Sequence, residues 1–536
     1  MSYQGRILVV DDEKRWREFL QEALTAEGFQ VDAIATTEEA KKLIADNLYH
    51  LFVFDIRLED SDSENVEGME LLDSLTKLGL GGAMEVIMLS AYGTREQMRE
   101  SFREYEVADF IDKQKFDDRE FLELVKRIFT ERVRVNLRLK ILWQSVNGPM
   151  EVVRNIKLPE GWVIENSLLQ ERVANELNDL LCRLFYQANS LLVKPMAPGY
   201  SGTRVLWVQP AYEAGKGQGF ILKFGDYGKI EQEYKNFNEY VQPFLGGTYT
   251  TNVIALRRTP RLGGMVYSFI GAENDRLEDF GTFYRRAKVA EIKQVLHRLF
   301  EDTCERWYAN LGRLQYLDLR SDYQEILGLN PVELEEIVKM KLTSVRWGNE
   351  LCFSVLDENR SFRNPIQAMS DKSQVYSTYV CITHGDLNES NILIDQLGRT
   401  WLIDFRDTGG AHILRDVAKL DAVIRFELLA PEEATLAERL AMEEALANIK
   451  DFNELVQPTN NFSTANAALT KAYNISIYLR RLAHKLIGQN RHAKFTEYHV
   501  ASYYQALNTV RFTSLPPLQR EHALLSASLL AESLGL

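Results

Sequence analysis

Arg6-Ile7-Leu8-Val9-Val10-Asp11-Asp12-Glu13 is an apolar run that stops on three consecutive acidic residues. A short run that is apolar at nearly every position reads as a strand buried on both faces, as in a parallel sheet covered by helices. Similar runs recur at residues 31–35, 51–54, 86–89 and 110–111, and amphipathic segments lie between them at 16–27, 37–47 and 68–78. This alternation predicts an α/β domain over residues 1–125 with a five-stranded parallel sheet and five helices, the last of them over 121–130.

Polar residues stand at the ends of these runs. Asp11 and Asp12 follow the first, Asp55 the third, Ser90 the fourth and Lys113 the fifth. In an open parallel sheet the carboxyl ends of the strands form the ligand crevice, so these side chains are expected to converge. Three adjacent carboxylates repel unless a divalent cation neutralises them, and an all-oxygen set suits Mg²⁺. Asp11 or Asp12 alone would be explained as a helix cap. The full set points instead to Asp55 as a carboxylate nucleophile that accepts a phosphoryl group, with Ser90 and Lys113 left to hold it.

Residues 7–13, Phe54-Asp55-Ile56, Leu89-Ser90-Ala91 and Phe110-Ile111-Asp112-Lys113 resemble the receiver domain of bacterial two-component response regulators, a flavodoxin-like fold. The resemblance implies Mg²⁺ held by Asp11, Asp12 and Asp55, phosphate contacts from Ser90 and Lys113, and Phe110 as the aromatic that changes rotamer with the switch. It also implies a cognate histidine kinase as phosphoryl donor and allows a homodimer through the receiver. The chain departs from the family pattern at Gln114, where proline is usual, and in the long acidic loop over 57–67.

Composition supports a multidomain globular chain. At 536 residues, 45% hydrophobic and 26% charged, the sequence is too long for one compact core and too apolar for disorder. Acidic residues outnumber basic ones 77 to 63, a net charge of −14 that disfavours nucleic-acid and membrane-surface partners. Cys182, Cys304, Cys352 and Cys381 are widely spaced and read as buried thiols in a reducing compartment. With no apolar run of membrane-spanning length, a cytoplasmic protein is expected.

Between 126 and 190 the chain reads as a connector. Val133, Val135, Leu137, Leu139 and Ile141 alternate with Arg134, Asn136, Arg138 and Lys140, which predicts a strand, and residues 167–186 predict a helix.

Beyond the connector, the densest cluster is His384-Gly385-Asp386-Leu387-Asn388-Glu389-Ser390-Asn391, followed by a predicted hairpin that ends at Asp404-Phe405. Phosphoryl transfer from ATP needs a carboxylate to deprotonate an acceptor hydroxyl and oxygen ligands for Mg²⁺. Asp386, Asn391 and Asp404 supply those parts. Upstream, Gly199, Ser201 and Gly202 lie in a loop between predicted strands, suited to folding over phosphates. Lys223 alternates with apolar neighbours on a further strand, and Glu233 on the next helix is placed to anchor it.

This arrangement resembles the aminoglycoside and choline phosphotransferase branch of the protein-kinase-like fold over residues 190–536. The His-Gly-Asp form at 384–386 and Asp404-Phe405-Arg406 carry the resemblance. It implies an α+β module with an N-lobe over 191–271 and a mainly helical C-lobe over 272–536. By resemblance Asp386 is the catalytic base, Asn391 and Asp404 are metal ligands, Lys223 and Glu233 are the phosphate-binding pair, and 199–202 is the phosphate loop. The expected activity is ATP- and Mg²⁺-dependent transfer to a hydroxyl of an unidentified protein or small molecule, controlled by Asp55. The alternative is a catalytically idle kinase-like module that signals to a partner protein through its nucleotide and phosphorylation state.

Overall fold

The computed structural model describes residues 4–536 except 57, 59–66, 78–81, 91–102, 104, 106, 155, 157–165, 197–201, 246–249, 271–276, 357–359, 370–372, 456–461, 489 and 491–492. Two units divide the chain: Met1–Tyr234 with Asn252–Ser268, and Lys235–Thr251 with Phe269–Leu536.

The first unit begins with strands β1 (Arg6–Val10), β2 (Gln30–Ile34), β3 (Leu51–Asp55), β4 (Glu85–Ser90) and β5 (Asp109–Asp112). They pair in parallel in the order β2-β1-β3-β4-β5. The two-residue period of a strand divides their side chains between two cores. Leu8, Val10, Phe52, Phe54 and Met88 pack on one face; Ile7, Val9, Leu51, Val53, Ile87 and Leu89 pack on the other. Helices α1 (Lys14–Ala26), α2 (Thr37–Asp46), α3 (Glu67–Lys77) and α4 (Asp118–Ile128) connect and cover the strands. Asp117 caps α4 by accepting from the backbone N–H of Arg119 and Glu120, while Phe121, Val125 and Ile128 recur at helical spacing on its buried face. The expected fourth of the five helices, between β4 and β5, and the acidic loop over 57–67 both lie mostly outside the described residues.

The predicted connector strand over 133–141 is corrected by the structure. The chain continues from α4 as a π turn over Phe129–Val133 and turns sharply at Arg134, whose φ is 49°. The strand itself, β6, spans Lys140–Trp143. Alternation at 133–137 therefore reflects burial of Val133 and Val135 against α4 and its surroundings, not a ladder.

After α5 (Pro149–Val153) and α6 (Asn166–Leu184), β6 joins a seven-stranded mixed sheet with β7 (Ser190–Pro195), β8 (Arg204–Tyr212), β9 (Gly215–Lys216), β10 (Phe220–Asp226), β11 (Thr250–Arg258) and β12 (Leu262–Ile270). β6 and β7 run parallel; β7, β8, β9, β10 and β12 pair antiparallel. Leu177, Leu180 and Leu181 of α6 are fully buried against Leu191, Val193, Leu206, Leu222 and Val266. Each such side chain contributes about 1.5–3 kcal/mol of burial. The segment expected as a separate connector is thus part of this sheet's core.

Polar groups also tie α6 to the receiver sheet. His50, just before β3, lies 2.9 Å from Asp179 of α6, and Arg183 one turn on lies 2.8 Å from the same carboxylate. Arg183 Nη1 donates to the Ala83 carbonyl just before β4.

The second unit is rich in helices, including Val289–Arg298, Pro331–Lys341, Arg415–Ala422, Leu436–Ala447, Ala467–Ile487, Phe495–Val510 and Pro517–Leu534. Small antiparallel pairings interrupt them: Ile392–Ile394 with Thr400–Leu402, and Val380–Thr383 with Gly409–His412. No helix among the described residues is long and apolar enough to cross a membrane.

Candidate functional site

Convergence at the receiver strand ends is direct. Lys113 Nζ lies 2.6 Å from Asp55 Oδ2 and 2.7 Å from Asp11 Oδ2, with all three side chains nearly excluded from solvent. Glu13 Oε1 approaches the same ammonium at 3.3 Å. Burial pushes the Asp11 carboxyl up to about 6 despite Lys113, with the neighbouring Asp55 charge adding to the rise. Burial alone would lower Lys113, but Asp55 and Asp11 hold it above its ordinary value. Ser90 is buried at the end of β4, and Phe110 is half-buried against the Leu8 and Met88 core.

Gly68, near the start of α3, belongs to this site through its lack of a side chain. A Cβ there would meet the Asp55 carbonyl at 2.0 Å, so only glycine allows α3 to begin so close to the acceptor strand.

Ligand oxygens of Asp11, Asp12 and Asp55 lie within 4.8 Å of one another. The donor set is all carboxylate, three acidic side chains with oxygens close enough to share one hard divalent cation. These residues fit Mg²⁺.

In the same unit Lys223 on β10 and Glu233 on α7 (Tyr227–Asn236) form a buried ion pair of 2.6 Å. The Tyr267 hydroxyl donates to the second Glu233 oxygen and holds that carboxylate in place. Of the expected phosphate loop, Gly202 is described, with φ 77°; Gly199 and Ser201 lie outside the described residues.

The second unit places Asp386 and Asn391 in one loop. Asn391 Nδ2 donates to the Asp386 carbonyl at 2.8 Å, and Asn388 Nδ2 donates to Asp386 Oδ2 at 3.0 Å. The loop is pinned from behind by Asp416, fully buried, which accepts the backbone N–H of His384 at 2.7 Å and of Gly385 at 2.9 Å. Tyr308 donates its hydroxyl to the same carboxylate at 2.9 Å. Gly385 has φ 88°, and a Cβ on it would meet the Asp407 carbonyl at 2.0 Å. His384 packs in the core with Nε2 at 3.0 Å from the Ile403 carbonyl, which joins the loop to the hairpin's far end.

Asp404 has φ 68°, a left-handed conformation uncommon outside glycine. Strain of this kind persists only where surroundings impose it, and it concentrates at functional sites.

Three residues that sequence reasoning did not single out complete this site. Lys419 Nζ stands 3.6 Å from Asp386 Oδ1 and 3.7 Å from Glu427 Oε1, and Glu389 lies close enough to act on both. Burial alone would lower Lys419, but Glu427, Asp386 and Glu389 raise it. Burial, then repulsion from Glu427, pushes Glu389 up to about 7. The available signal was the spacing of Asp416 and Lys419, three apart on one helix, which puts both on one face.

Two family models match the chain. The response regulator receiver domain model matches residues 7–126. The model for ternary complex associated domain 9 matches residues 188–349 and 353–511. An uncharacterised 14.6 kDa protein in the sodA1 3′ region of Leptolyngbya boryana is 32% identical over 106 residues, 19% of this chain and 77% of that protein. Among solved structures, a CheY-like receiver domain protein from Methanospirillum hungatei JF-1 is 32% identical, covering 24% of this chain and 95% of that one, with a TM-score of 0.21. The non-phosphorylated HemR receiver domain from Leptospira biflexa is 31% identical, covering 24% and 94%, with a TM-score of 0.20.

Proposed function

The chain belongs to the ternary complex associated domain 9 family and carries a response regulator receiver domain ahead of the family segment, and from that premise we propose that Asp55 phosphorylation controls an ATP-dependent phosphotransferase acting on a hydroxyl group. The observation that carries this reading is the Asp386 loop: a carboxylate flanked by Asn388 and Lys419, pinned by buried Asp416, and followed by Asp404 in a strained backbone.

In this reading a histidine kinase is the phosphodonor. An Asp55 oxygen attacks the phosphorus, the bond to the donor nitrogen breaks, and Lys113 and Ser90 hold the transferred group. Mg²⁺ held by Asp11, Asp12 and Asp55 would neutralise charge on the phosphoryl oxygens.

In the second unit Asp386 takes the proton of the acceptor hydroxyl as its oxygen bonds to the γ-phosphorus and ADP leaves. Asn388 orients the Asp386 carboxylate, and Asn391 and Asp404 are the ligands offered to Mg²⁺. Separately, in the first unit, the resemblance gives the Lys223–Glu233 pair a role in binding nucleotide phosphates. The kinase-like fold remains part of this proposal, supported by the His-Gly-Asp loop and the Lys223–Glu233 pair.

The family's description as a ternary complex associated domain favours a second reading, an idle module that binds nucleotide and docks a partner. One experiment separates them. ATP affinity and Mg²⁺-dependent ATP turnover are measured on wild type and Asp386→Ala, with and without a small-molecule phosphodonor. Turnover lost in Asp386→Ala supports the phosphotransferase; binding without turnover supports the module.

A further inference from the structure

A cavity of about 420 Å³ opens in the first unit where the amino ends of the receiver strands meet α6 and β11. Its lining is unlike the rest of this acidic chain: five guanidiniums, from Arg132, Arg134, Arg183, Arg257 and Arg258, against the carboxylates of Glu85 and Glu131.

Several of these guanidiniums are partnered within the unit. Arg132 pairs with Glu85 at 2.9 Å, and Arg183 with Asp179 at 2.8 Å. Arg258 lies 3.8 Å from the Tyr227 ring centroid. Arg134 and Arg257 instead donate to main-chain carbonyls, of Glu131 and Leu256. Neither is within ion-pair distance of a carboxylate among the described residues.

Arg183 is 5% exposed, and its Nη2 is buried with no hydrogen-bond partner among the described residues. Arg257 Nε is likewise buried without one. Burial, followed by the neighbouring charges of Arg134 and Arg183, lowers the Arg257 guanidinium from its ordinary value. Arg134 is held there at φ 49°. Like charges gathered in a cavity with unused donors are a cost to the fold, which an anion would reverse.

We propose that this cavity binds a small anion bearing two or more phosphoryl groups, independently of the phosphotransferase reading. Planar guanidiniums bind phosphate through two parallel hydrogen bonds, and they do so more strongly where water is excluded. The volume lies within the range of small-molecule sites. The walls come from residues 83–85 on the receiver side and 256–258 on β11, so a bound anion bridges the two sheets of this unit.

The test is calorimetric titration of the full chain with pyrophosphate, and separately with a nucleoside diphosphate, in chelator without Mg²⁺. Saturable one-to-one binding of pyrophosphate is expected, weakened about tenfold or more in Arg257→Ala. Arg134→Gly is expected to do the same while relieving the backbone conformation, so loss of fold does not account for it. Lys223→Ala is expected to leave pyrophosphate binding unchanged. Tighter binding of the diphosphate in this site would assign a nucleotide; equal binding would assign the phosphoryl pair alone, and both support the proposal. Absence of saturable binding, binding untouched by both arginine variants, or binding lost in Lys223→Ala would overturn it.

Discussion

The Nε2 of His50 lies 2.9 Å from Asp179 Oδ1, joining positions 129 residues apart in the interior of the first unit. The backbone N–H of Arg6 donates to Nδ1 of the same ring, which leaves Nε2 as the donor to Asp179. Burial lowers His50 from its ordinary value, with Asp179 opposing, so the ring is neutral in the folded chain. Burial alone would raise Asp179, but Arg183 and His50 hold it down.

Asp179→Ala is expected to destabilise the first unit by about 3–5 kcal/mol, because Arg183 would stay buried without its anion. Urea unfolding followed by tryptophan fluorescence measures this. A loss below 1 kcal/mol would show the pair to be replaceable by water.

Stability is expected to fall in mild acid. The unfolded chain binds protons on histidine below about pH 6.5, whereas the folded chain keeps His50 neutral and His522, pushed down to about 4 by burial against the pull of Glu443, neutral as well. The stabilisation is therefore complete above about 6.5, and for His522 it declines until the pH reaches about 4. Denaturant midpoints at pH 7.5 and 5.0 test the sign, and His522→Asn should flatten the dependence.

Lys113→Met is expected to leave Asp11 and Asp55 facing each other without their shared cation, a loss of about 3 kcal/mol. Added Mg²⁺ should recover part of it, since a ligand that binds only the folded state stabilises by mass action. Thermal melts with a Mg²⁺ series read both effects, and a variant as stable as wild type would remove the electrostatic account of the site.

Under the proposed phosphotransferase reading, Asp416→Ala is expected to reduce turnover as strongly as a catalytic-loop substitution although it lies behind the loop. Two backbone N–H groups and the Tyr308 hydroxyl lose their acceptor, at about 1.5–3 kcal/mol for each charge-assisted bond. Asp386→Ala, in contrast, should lower kcat by about 10²–10⁴-fold with little change in stability. Measuring kcat beside the unfolding midpoint for both variants separates positioning from chemistry.

Legibility in the sequence followed locality. Receiver strands and their terminal Asp55, Ser90 and Lys113 were readable because a parallel sheet puts every strand's carboxyl end on one edge, so spacing alone gathers the site. The Asp386 loop was readable because its polar residues lie within a few positions of each other. Lys419 and Glu427 were not, since they reach Asp386 from a helix some thirty residues on, and a buried lysine has no local mark. Residues 133–141 misled because two-residue alternation arises equally from a helix end followed by a turn at Arg134. The arginine cavity escaped notice for a related reason: its arginines come from three separate segments, none basic enough alone to stand out from the acid excess.

The parallel pairing of β6 with β7 bears on how the chain can be cut. A fragment that starts at residue 190 loses β6 and α6 together, turning β7 into an open edge and uncovering the apolar face around Leu191 and Leu206. Nicking between the receiver and residue 190 would therefore yield a sheet prone to self-association in place of an independent output module, and partial proteolysis should find no stable cleavage product with that boundary.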